Sequence, residues 1–72
     1  MEYRFVIKRK HDNGKTEVLE SGVTENYMGV WADTLSSVMD VSRERILMNT
    51  TGYGHRYYAY RVWDYSYTLE LN

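Results

Sequence analysis

Few residues in this chain have reactive chemistry to offer. His11 and His55 are the two histidines and there is no cysteine. Neither histidine lies at a helical or strand spacing that pairs it with the other or with a carboxylate. Metal coordination needs several ligands at fixed intervals, and with no His-x-x-x-His, Cys or carboxylate cluster no metal or cofactor site is expected. A serine nucleophile needs a base and an oxyanion hole. Ser36 and Ser37 fall inside a helical stretch and Ser42 in a connector, and no elbow motif surrounds any of them. Gly52-Tyr53-Gly54 lacks the longer glycine pattern, the Lys-Ser/Thr pair and the following helix of a phosphate cradle. The expectation is a protein that is not an enzyme.

What remains is the chemistry of binding. Arg56, Tyr57, Tyr58, Tyr60, Arg61 and Trp63 interleave cations with flat rings, as strand surfaces do when they stack bases and neutralise phosphates. Lys8, Arg9 and Lys10 would join them if the first strand lay beside the last. Against nucleic acid stands a net charge of −1, because counterion release needs a field of uncompensated cations. Exposed Tyr with Arg also makes protein-interface anchors, and a domain this small cannot enclose Tyr53, Tyr57, Tyr58 and Tyr60 together.

Charge is segregated along the chain. Residues 1–15 carry five Lys or Arg against two acids, a balance of +3. Residues 16–41 hold Glu17, Glu20, Glu25, Asp33 and Asp40 with no cation, a balance of −5, and the remainder comes to +1. Solvated surface accounts for such blocks, and so does an acidic segment presented to a basic partner.

These side chains must be positioned by one domain, residues 1–72, because 72 residues leave no material for a second core. Tyr3, Phe5 and Ile7 alternate with Arg4, Val6 and Lys8 as a first strand. Asp12-Asn13-Gly14 turns the chain, and Thr16 to Ser21 return. Thr24 is the expected N-cap of an amphipathic helix whose stripe, Tyr27, Val30, Trp31, Leu35, Val38 and Met39, ends near Asp40. It is read as the one helix. Ile46, Leu47 and Met48 are expected to begin a third strand and Gly52-Tyr53-Gly54 to form the next turn. The final segment alternates in two phases that meet at Val62-Trp63, where a β-bulge or a turn between two strands fits equally. Trp63, Tyr65 and Tyr67 are expected in the core.

The predicted class is α+β with order β-β-α-β-β, the last segment optionally two strands. One helix packs on one face of a four- or five-stranded, mainly antiparallel sheet. The N-terminal hairpin, helix, Val41 connector, Arg45-Ile46-Leu47 and Thr68-Leu69-Glu70-Leu71 resemble the β-grasp arrangement of ubiquitin-like domains, which implies that fold as the alternative. No apolar run reaches the roughly 20 residues of a membrane span, and the N-terminus has no signal-peptide succession, so a cytoplasmic chain without membrane association is expected.

A compact Cys-free, Pro-free domain with segregated charge and an aromatic patch also resembles, in style, the small viral inhibitors that bacteriophages direct against host enzymes and defence complexes. That likeness implies a non-catalytic protein-binding module acting on a larger host protein. The expected contact residues are Glu17, Glu20, Glu25, Asp33, Asp40, Tyr53, Tyr57, Tyr58, Tyr60 and Arg61. Two alternatives stand: a single-stranded nucleic-acid binder using the strand aromatics, and a homodimer joined through strand edges.

Overall fold

A computed structural model describes residues 1–72. Strands β1 (Tyr3–His11) and β2 (Thr16–Thr24) form the N-terminal hairpin, helices α1 (Tyr27–Met39) and α2 (Arg43–Asn49) follow, and β3 (Thr51–Tyr53), β4 (Tyr57–Val62) and β5 (Tyr65–Leu71) complete the chain. The five strands form one sheet in the order β2-β1-β5-β4-β3, with every neighbouring pair antiparallel. The α+β class therefore holds, with the last segment split in two. In the β-grasp arrangement the first and last strands run parallel, whereas here Phe5 pairs with Leu71 and His11 with Tyr65 in opposite directions, so that alternative does not apply.

The first hairpin forms as its turn chemistry requires. Gly14 takes a φ of 95°, a conformation that costs glycine nothing, and His11 N–H donates to the Lys15 carbonyl at 2.8 Å. Pairing shifts register between Ile7 and Lys8, where Leu19 is the extra residue of a bulge in β2.

Strand alternation gives the sheet an inner and an outer face. The core is made of Phe5, Ile7, Leu69, Leu71, Tyr60 and Tyr67 from the inner face, closed by Trp31 and Leu35 of α1 and Ile46 of α2. Each fully buried Ile or Leu contributes roughly 1.5–3 kcal/mol. The Trp31 indole does not leave its N–H unpartnered in that apolar setting. It donates to the Thr50 hydroxyl at 2.7 Å, and that hydroxyl donates to the Ile46 carbonyl at 2.7 Å.

The segment expected as a third strand is instead helix α2. Ser42 caps it, its hydroxyl accepting from Arg45 N–H at 3.2 Å, Glu44 lies in the first turn, and only Ile46 is buried. The chain thus has two helices. The cap of α1 also moves by two residues: Asn26 Oδ1 accepts from Gly29 N–H at 3.0 Å, while Thr24 Oγ1 accepts from Asn26 N–H. The Val62-Trp63 phase break is a turn. Val62 pairs with Tyr65, and Trp63 and Asp64 form a two-residue connection between β4 and β5. Trp63 is not in the core but 88% exposed, and Tyr65 is only half-buried. Gly52-Tyr53 belongs to β3, and the turn falls later, at Gly54-His55-Arg56.

Candidate functional site

The ten expected contact residues do not gather into one patch. Tyr60 is buried at 5% exposure, opposite Tyr67 on the inner face. Tyr58 lies on that face too, half-buried, with its hydroxyl 3.4 Å from that of Tyr27, a contact that pushes the Tyr27 hydroxyl above its ordinary range. Tyr53 and Tyr57 alternate to the outer face, where their rings meet edge-on at 5.6 Å. Arg61 is on the outer face as well and forms an ion pair with Asp12 at 3.0 Å.

The acids lie elsewhere. Glu17 faces the helical side of β2, where His11 Nε2 donates to it at 2.6 Å and the Arg9 guanidinium at 3.2 Å. These two donors, His11 foremost, lower its carboxyl to about 2. Glu20 and Asp33 border a shallow groove of 410 Å³ between β2 and α1, and Asp33 pairs with Arg43 at 2.8 Å. Glu25 stands 4.0 Å from the N-terminal amine. Asp40 ends α1 in the left-handed conformation, with φ 55° and its side chain exposed. Acids and exposed tyrosines therefore belong to different sides of the molecule.

Two surfaces emerge, one built from residues outside the expected set and one that carries Tyr53, Tyr57 and Arg61 of that set. The first surrounds Trp63 at the tip of the β4–β5 hairpin. Next to it, Val38 and Met39 at the end of α1, Val41, Val62 and Tyr65 line a groove of 510 Å³ with Arg45 at its border. Trp63 takes a φ of 53°, which for a bulky side chain is an outlier costing of the order of 1–3 kcal/mol. The second is the outer sheet face, none of whose residues is buried. The first strand does lie beside the last, as a joint basic and aromatic surface requires, but alternation turns Arg9 inward and leaves Arg4, Lys8 and Lys10 outward.

Reactive groups do not converge anywhere. No three His, Asp or Glu side chains approach closely enough to hold a metal ion, and every buried side-chain nitrogen or oxygen has a hydrogen-bond partner. His11 packs edge-on against Tyr65 at 4.7 Å, and His55 is exposed in the β3–β4 turn. No helix is long and apolar enough to cross a membrane. Comparison with protein-family models, with curated proteins and with solved structures gives no match.

Proposed function

We propose that this chain is a non-catalytic protein-binding module that acts by covering a surface of a larger protein, in the manner of the small viral inhibitors it resembles in style. The observation that carries the reading is Trp63. A tryptophan held 88% exposed at a hairpin tip, in a backbone conformation that disfavours it, buries little of its ring in the isolated domain. Tryptophan is also among the side chains that most often dominate binding energy when a partner buries them, typically by 2 kcal/mol or more on truncation. The adjoining groove, apolar along Val38, Met39, Val41 and Val62, supplies the dry surround that such an anchor needs.

The acidic side chains keep a part in this reading. Asp40 and Asp64 flank the groove and the hairpin tip, and Glu20 and Asp33 extend the negative charge along α1 and β2. A partner with a basic surface would be steered toward this side, so neutralising Asp33 and Asp40 together should slow association and flatten its salt dependence.

The deciding experiment is affinity capture from a nuclease-treated bacterial lysate with the wild-type chain and with Trp63→Asn in parallel. Asparagine tolerates the left-handed conformation, so the variant should keep the fold while losing the anchor. A protein retained by the wild type and at least tenfold depleted by Trp63→Asn supports the reading. Equal retention by both chains, or retention of none, overturns it.

A further inference from the structure

We infer that the outer face of the sheet is a second, separate binding surface, and that its occupant is single-stranded nucleic acid. Arg4, Lys8 and Lys10 project from this face of β1, the second strand of the sheet, and none of them forms an ion pair. Their cross-strand neighbours carry no charge: Lys8 lies between Val18 and Thr68, Lys10 between Thr16 and Ser66, and Arg4 beside Val23. Arg61 lies two strands away from Lys10, through Ser66, but is neutralised by Asp12, which leaves three unpaired cations on this face. Of the ten acidic residues, Glu70 projects from a strand onto this face and Asp12 reaches it from the β1–β2 turn, where it pairs with Arg61. The net charge of −1 thus conceals a basic sheet surface backed by an acidic helical side.

Charge alone would suit any polyanion. The aromatic pair narrows the choice. Tyr53 and Tyr57 stand on the same face, 57% and 37% exposed, three and two strands across from the cation column on β1. The tyrosines' own cross-strand row continues through Glu70 to Val6, and the row beside it, Thr51, Ala59 and Thr68, gives a small floor that leads to Lys8. With strands about 4.8 Å apart, the backbone carrying Tyr57 lies roughly 10 Å from β1 and that carrying Tyr53 roughly 14 Å. Unpaired bases can lie against the rings while their phosphates follow β1, the division of labour by which open sheets hold single strands. A duplex keeps its bases stacked inside and gains nothing from the tyrosines. The surface is distinct from that around Trp63, so either can fail without the other.

The test is fluorescence anisotropy of the whole chain with a labelled oligothymidylate about 12 nucleotides long, against a duplex of equal length, at about 50 and 200 mM salt. Three phosphate contacts predict binding of the single strand that weakens roughly 20-fold over that range, falling to about threefold for Lys8→Gln with Lys10→Gln. Tyr53→Ala with Tyr57→Ala should weaken binding at least tenfold and leave the salt dependence as it was. All four side chains are on the surface, and far-UV circular dichroism checks that each double variant stays folded. Absence of single-strand binding at low salt overturns the inference. So does equal affinity for the duplex, or binding indifferent to loss of the tyrosines, which would mark a plain polyanion surface.

Discussion

Trp63 couples a cost in stability to a gain in binding, and the two separate on mutation. Replacing it with asparagine removes a strained residue that buries almost nothing, so Trp63→Asn should leave stability unchanged or raise it by up to about 1 kcal/mol in urea denaturation, even as it removes the proposed anchor. A loss of more than that would mean that the ring supports the fold. Glu17 makes a pH-dependent contribution of known sign. Its folded carboxyl is lowered from 4.5 to about 2 by His11 and Arg9, so its support is fully present above pH 4.5 and is lost as pH falls toward 2. The difference in thermal midpoint between wild type and Glu17→Gln should therefore shrink as pH falls below 4.5 and approach zero only below about pH 2. Gly29 is constrained by its neighbour, because a Cβ there would overlap the Asn26 side chain that caps α1. Gly29→Ala should bring no gain in the wild type, yet stabilise the Asn26→Ala background by about 1 kcal/mol. At this scale the sequence identified side chains better than their directions. Tyr53, Tyr57 and Arg61 are exposed as expected, but Tyr60 is enclosed and Tyr58 turned inward, because alternation along β4 puts both on the helical side, opposite Tyr67 and Leu69. The turn between β4 and β5 carries Trp-Asp where a tight hairpin ordinarily has Asn-Gly, so the phase break at Val62-Trp63 was visible but composition did not decide between a turn and a bulge.

Among the elements, the N-terminal hairpin was legible from the alternation of β1 and its Asp12-Asn13-Gly14 turn, and α1 from its long apolar stripe. Helix α2 was not. At seven residues it is too short to display a helical period, and Ile46-Leu47-Met48 taken alone reads as strand material. The available signal was at its start, where Ser42 precedes Glu44 in the manner of a cap and an acidic first turn. Such a helix cannot persist alone and depends on what its ends touch. Thr50 makes that tie, accepting from the Trp31 indole and donating to the Ile46 carbonyl. Thr50→Val keeps the shape but strands the buried indole N–H, and should cost roughly 1–3 kcal/mol by chemical denaturation, with Trp31 fluorescence reporting the change.

For the molecule as a whole, order along the chain and order in the sheet diverge. β5 is the last strand made and the central one in space, hydrogen-bonded to β1 on one side and β4 on the other. Removal of residues 65–72 should accordingly abolish cooperative thermal unfolding and not merely lower its midpoint, because it takes Tyr67, Leu69 and Leu71 from the core and separates the sheet into two fragments. The sheet's free edges are β2, which is bulged at Leu19, and β3, which has three residues, and both features discourage edge-to-edge pairing between copies. Charge also divides by face in a way that the net value hides: alternation on β1 sends Arg4, Lys8 and Lys10 to one side, and the tertiary fold sends most acids to the other.

The central position of β5 bears on synthesis. A nascent chain emerges N-terminus first, so its opening hairpin, with Phe5 and Ile7 uncovered and one side of β1 unpaired, waits in that state until Leu71 has cleared the ribosome. Completion of the sheet therefore waits for β5, and a translational pause before that strand would leave the inner edge of β1 free to pair with the wrong chain.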